Sequence, residues 1–106
     1  EFKDCQFLSS QDTMFTGNNT EHTYFKNCVI EGTTDYICGD GSAVFDGCTL
    51  SMYGYGDKAA SGSIIVASKA LSQLGYLFNN CKVVKTSYPG INNGITKTGC
   101  ILKYRS

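Results

Sequence analysis

Four short segments of this chain repeat one pattern, and the pattern leaves few folds open. They are Phe2-Lys3-Asp4-Cys5-Gln6-Phe7, Phe25-Lys26-Asn27-Cys28-Val29-Ile30, Phe45-Asp46-Gly47-Cys48-Thr49-Leu50 and Phe78-Asn79-Asn80-Cys81-Lys82-Val83. Each reads phenylalanine, two polar residues, cysteine, any residue, apolar residue. The phenylalanines stand 23, 20 and 33 residues apart. A unit recurring at that spacing marks a solenoid. One such unit cannot bury its own apolar face, so the units must stack.

The type of solenoid follows from what fills the units. Twelve glycines, one proline and thirteen aromatics in 106 residues favour strands joined by turns. Asn-Asn, Asp-Gly and Gly-Asp-Gly mark corners. The one helix-tolerant stretch, Lys69-Ala70-Leu71-Ser72-Gln73-Leu74, is short and meets Gly75. A coil of strand and turn fits an all-β, right-handed parallel β-helix, a solenoid of about four to five coils, incomplete at both ends. Like positions on successive coils then stack at roughly 4.8 Å, phenylalanine on phenylalanine and cysteine on cysteine. The longest step leaves room for a loop within Tyr53–Ser63. The whole of 1–106 reads as a single partial β-helix domain, with regular coils over 1–84 and a divergent tail over 85–106.

Cys5, Cys28, Cys48 and Cys81 therefore read as buried small hydrophobes. Neighbours in a strand ladder rarely meet the torsion a disulfide needs. Cys38 and Cys100 fall outside the ladder. With no Cys-x-x-Cys pair and a single histidine, His22, zinc has no ligand set.

Formal net charge is zero, from nine basic and nine acidic residues, so no basic stripe invites nucleic acid. No apolar run has the length of a membrane helix. The chain opens on Glu1-Phe2-Lys3-Asp4-Cys5, already part of the repeat, with no signal peptide in view; that start suggests a piece of something longer.

The repeat turns sequence offsets into geometry. Asp12 follows Phe2 by ten residues, and Asp35 follows Phe25 by ten. Two aspartates thus occupy one phase of adjacent coils. The next equivalent residue is Tyr55, so the acid column stops at two. At about 5 Å and an effective dielectric near 20, two such charges repel by about 3 kcal/mol. Stability gains nothing from this arrangement. Chemistry gains two acids that favour different protonation states, one suited to nucleophile or base and the other to acid. Gln11, beside the first acid, carries an amide able to donate to a developing oxyanion. A solvated surface pair is the plain alternative.

Gln11-Asp12-Thr13-Met14-Phe15-Thr16-Gly17, the stretch 24–41 (YFKNCVIEGTTDYICGDG) and the stretch 75–83 (GYLFNNCKV) resemble the pectin methylesterases, or pectinesterases. These are carbohydrate esterases built on a right-handed parallel β-helix. The likeness spans about residues 2–84. It implies methyl-esterified homogalacturonan as substrate, Asp35 as nucleophile, Asp12 as the acid and then the base, and Gln11 as oxyanion donor. Phe15 matches an aromatic groove position, and Phe15 and Tyr36 are the expected substrate contacts. No metal or organic cofactor is implied, and the location implied is extracellular or periplasmic.

The chain departs from the family pattern. The third residue after the nucleophile, commonly aromatic, is Cys38. A downstream Leu-Gly-Arg-Pro-Trp segment, whose arginine holds the nucleophile, has no counterpart. The chain contains no tryptophan, its one proline is Pro89 and its one arginine is Arg105. A second oxyanion glutamine normally comes from upstream. The chain therefore reads as a central fragment, or as a truncated homologue, with weak or no activity in isolation.

Other residues carry less. His22 reads as a loop residue, Asn18-Asn19-Thr20 fits a glycosylation acceptor, and Asp40 reads as a turn former. No Gly-x-Ser-x-Gly elbow supports a serine hydrolase. Two rival functions stand: a pectin-binding β-helix without chemistry, and a polygalacturonase or lyase. Uncapped coils at both ends also predict edge-to-edge self-association.

Overall fold

The computed structural model describes residues 1–53, 64–68, 75–86, 88 and 102–104. Every regular element among them is a strand. In chain order these are β1 (Phe2–Lys3), β2 (Gln6–Leu8), β3 (Met14–Phe15), β4 (His22–Lys26), β5 (Val29–Gly32), β6 (Thr34–Gly39), β7 (Ser42–Asp46), β8 (Thr49–Met52), β9 (Ile64–Ser68), β10 (Tyr76–Asn79), β11 (Lys82–Lys85) and β12 (Leu102–Tyr104). No helix among the described residues is long and apolar enough to cross a membrane. Apart from Tyr53, the expected loop Tyr53–Ser63 lies outside the described residues, as do the helix-tolerant stretch Lys69–Leu74 and Cys100.

The strands form three sheets of four, and each sheet takes every third strand: β1-β4-β7-β10, β2-β5-β8-β11 and β3-β6-β9-β12. All pairings are parallel. Such an order arises when a chain passes each sheet once per circuit, as in a parallel β-helix.

The repeat aligns as its spacing predicts. Phe2 pairs with Phe25, Phe25 with Phe45 and Phe45 with Phe78. Their rings stack at centroid distances of 5.3, 4.9 and 4.8 Å, within 11° of parallel. A second column, Phe7-Ile30-Leu50-Val83, faces it from the next sheet. Phe7 sets its ring edge-on against Phe2 and Phe25 at 5.5 and 5.9 Å. Met14, Ile37 and Val66 close the third side. Phe25, Ile30, Ile37, Phe45 and Leu50 are all buried. Each such side chain contributes about 1.5–3 kcal/mol by leaving water, and each aromatic contact adds about 0.5–1.5 kcal/mol.

The cysteines are free thiols at Cys5, Cys28, Cys48 and Cys81. Each thiol from the second coil onward points back one coil: Cys28 to the Phe2 carbonyl at 3.6 Å, Cys48 to that of Phe25 at 3.5 Å, Cys81 to that of Phe45 at 3.2 Å. Burial pushes the Cys48 thiol up, which suits an inert core residue.

The residue before each cysteine turns the corner between the first two sheets. Asp4, Asn27, Gly47 and Asn80 all have left-handed backbones, with φ of 56°, 52°, 64° and 52°. Only glycine, asparagine and aspartate enter that region readily, and the repeat holds nothing else there.

Candidate active site

Asp12 and Asp35 lie at the entrance to the third sheet, and the register on either side of them is fixed. Gln11 bridges Thr34 in parallel, and Met14 pairs with Ile37. Both pairs are 23 residues apart, so Asp12 stands opposite Asp35. The Asp12 N–H donates to the Thr34 carbonyl at 3.2 Å. Ordinary strand spacing puts the two backbones roughly 4.8 Å apart.

Both aspartates have left-handed backbones, φ 50° and 48°. Two adjacent coils therefore make the same unusual turn at the same place. That conformation costs most residues about 1–2 kcal/mol and aspartate less. Asp12 is exposed and Asp35 half-buried. One carboxylate oxygen of Asp35, Oδ1, is buried with no hydrogen-bond partner among the described residues. A buried acceptor left bare is costly, so this position suits a donor or a reacting group.

The other expected residues divide. Gln11 is exposed beside Asp12. Phe15 is 70% exposed, available to an incoming ring. Its register partner is Cys38, whose thiol lies 3.6 Å from the Met14 carbonyl. Tyr36, expected to touch substrate, does not reach the surface: it is fully buried. The physical reason is a register shift between Thr34 and Ile37, which turns both Tyr36 and Ile37 inward in place of strict alternation. The Tyr36 ring sits against Gly32, where an added Cβ would meet Tyr36 Cβ at 2.3 Å. Burial, with the Glu31 charge nearby, holds the Tyr36 phenol well above the usual tyrosine range.

Sequence reasoning missed a polar cluster on the outer face of the second sheet. Glu31 is buried. Its Oε2 accepts from Ser51 Oγ at 2.9 Å, and its Oε1 accepts from the Tyr88 hydroxyl. That bond to Glu31, first among the causes, pushes the Tyr88 phenol up to about 12. Tyr88 sets its ring edge-on to Tyr53 at 5.3 Å. The Tyr53 hydroxyl lies 2.6 Å from Ser10 Oγ and donates to the Ser9 carbonyl at 3.1 Å. The available signal was Glu31 itself, an acid directly after the apolar pair Val29-Ile30 and four residues before Asp35.

An open depression of about 260 Å³ borders the site at Phe15, lined also by Phe2, Phe7, Met14 and Phe25 among others. It is the mouth of the first coil and holds neither aspartate.

With this geometry in hand, the family model for pectinesterases matches residues 1–98. The chain belongs to the pectinesterase family. It is 37% identical to putative pectinesterase 11 of Arabidopsis thaliana over 84 residues, covering 77% of this chain and 22% of that protein. It is 37% identical over 87 residues to probable pectinesterase A of Aspergillus niger, covering 81% and 24%. A pectinesterase of Ralstonia nicotianae shares 37% identity over 92 residues, covering 81% and 23%. The chain thus spans less than a quarter of the length of these pectinesterases. No solved structure matches it.

Proposed function

We propose that this chain carries the acid pair of a pectin methylesterase, which hydrolyses methyl esters of homogalacturonan to pectate and methanol. The observation that carries this reading is the shared offset on both sides of Asp12 and Asp35, which sets the two carboxyls at one phase of adjacent coils. In the reading, an Asp35 oxygen attacks the ester carbonyl carbon. The carbonyl oxygen takes up negative charge, and the Gln11 amide donates to it. As the tetrahedral centre collapses, the C–O bond to the methoxy group breaks and Asp12 gives that oxygen its proton, releasing methanol. Asp35 is left as an acyl anhydride of the galacturonate. Asp12, now a carboxylate, takes a proton from water, whose oxygen attacks the same carbon. The anhydride bond breaks, the galacturonate leaves as a free carboxyl, and both aspartates return to their starting states.

Phe15 offers a ring face to the sugar chain. The location we infer is extracellular or periplasmic, where the polysaccharide is. The winding we take to be right-handed, the hand of nearly all parallel crossovers, with four to five coils in all.

The isolated chain is expected to be a weak catalyst. Asp35 Oδ1 has no donor among the described residues to orient it. Lacking one oxyanion donor costs on the order of a hundredfold in rate. The same bare oxygen favours a second reading, pectin binding without chemistry. Methanol release from highly methylated pectin separates the two. Slow release that disappears in Asp35→Ala and Asp12→Ala is expected of the esterase. Release that survives Asp35→Ala, or pectin binding with no release at all, would overturn it.

A further inference from the structure

Residues 9–13 make the turn that presents Gln11 and Asp12, and their own sequence does not fix it. Asp12 is held in a left-handed backbone (φ 50°), which aspartate tolerates but does not prefer over the ordinary right-handed and extended regions. What holds the turn comes from other coils. The Ser10 carbonyl accepts from the Thr33 N–H at 2.6 Å and from the Thr33 hydroxyl at 2.9 Å. The Thr13 hydroxyl donates back to the Glu31 carbonyl at 2.8 Å. These bonds tie the first coil to the second.

Tyr53 reaches further. It follows β8, on the third coil, yet its hydroxyl meets Ser9 and Ser10 on the first. That span crosses two strand spacings, roughly 9.6 Å at the backbone. The Tyr53 N–H donates to the Gly32 carbonyl at 3.3 Å, and Gly32 itself leaves room for the first coil: a Cβ there would come within 2.8 Å of the Ser10 carbonyl oxygen. Beyond it, Tyr88 holds the Tyr53 ring edge-on and is itself fixed by Glu31, whose other oxygen is taken by Ser51. The chain of contacts runs from a buried carboxylate, through two phenols, to the residue preceding Gln11.

We propose that Tyr53 is a positioning residue: its hydroxyl, steadied by Tyr88 and Glu31, fixes the Ser9–Ser10 segment and so sets Gln11 and Asp12 against Asp35. Its kinetic consequence rests on the esterase reading; its structural consequence does not. An aromatic that merely covers the sheet would need its ring and not its hydroxyl.

Tyr53→Phe keeps the ring and removes the hydroxyl, and Ser10→Ala removes the side-chain partner. In either variant, amide exchange at Asp12 and Thr33 is expected to quicken by about tenfold, the effect of roughly one hydrogen bond. The amides of Val29 and Thr49, bonded to Cys5 and Cys28 in the cysteine ladder, should stay as they are. Unchanged exchange at Asp12 and Thr33, or equal acceleration throughout the ladder, overturns the proposal. Methanol release supplies the second readout. Where release depends on Asp35, Tyr53→Phe should lower kcat by about tenfold or more at constant KM, and an unchanged kcat overturns the proposal. Where release does not depend on Asp35, the esterase reading has failed, and the exchange result alone decides whether Tyr53 fixes the turn.

Discussion

Asn27 sits in a left-handed backbone between a stacked phenylalanine and a buried cysteine, with φ 52°. Its N–H donates to the Asp46 carbonyl at 2.9 Å, so the corner is tied to the next coil and cannot relax alone. Asn27→Ala should lower stability by about 1 kcal/mol, while Asn27→Gly should leave it nearly unchanged. A urea midpoint that fell equally in both variants would mean the asparagine amide matters and its backbone does not. The repeat showed the phenylalanine and cysteine columns directly, because identical residues stand out. The corner column was less legible: Asp4, Asn27, Gly47 and Asn80 share a backbone conformation, not a side chain. Tyr36, a substrate contact expected from the family likeness, is buried instead, because a bulge between Thr34 and Ile37 cancels strict alternation locally. Asp12 and Asp35 were placed correctly in phase, since their offset from the phenylalanines involves only counting.

Strands of the first sheet are also linked on their outer face. Asp46 on β7 accepts from the Tyr24 hydroxyl on β4 at 2.7 Å and from the Asn79 amide on β10 at 3.0 Å. Three coils are thus joined through one carboxylate. The bond from Tyr24, then that from Asn79, holds the Asp46 carboxyl below the usual carboxylate range. A carboxyl lowered in the folded state stabilises at pH above its unfolded value and loses that contribution as pH falls through the folded one. Acidification below about pH 4 should therefore remove it. Asp46→Asn should show a smaller drop in urea midpoint between pH 7 and pH 3 than the parent chain, and equal drops would refute the role. The strands carrying the repeat were legible from sequence because apolar residues recur in them at fixed phase. The ties between them were not. Tyr24, Asp46 and Asn79 lie 22 and 33 residues apart, and only the pairing register brings them together.

At the scale of the molecule, a parallel solenoid is a stack, and among the described residues the strands of the first coil, β1, β2 and β3, each pair on one side only. Phe2 is 44% exposed at the first coil, whereas its counterparts Phe25 and Phe45, one and two coils inward, are buried. Strand edges and apolar rings exposed together invite another strand. The isolated 106-residue chain should therefore self-associate edge to edge, and light scattering should report a mass above that of the monomer as concentration rises. A clean monomer at high concentration would count against it. The same stacking has a consequence for how such a chain can change over generations. The partnership of Asp12 and Asp35 depends on a coil length of 23 residues, bracketed by Gln11–Thr34 and Met14–Ile37. A substitution elsewhere in that coil leaves the count intact. Deleting one residue between Lys26 and Thr34 keeps Gln11, Asp12 and Asp35 and still parts the two acids. On the esterase reading the acid pair depends on a length as much as on a set of residues, so a one-residue insertion or deletion in this coil should cost more activity than one in a loop that leaves the register untouched.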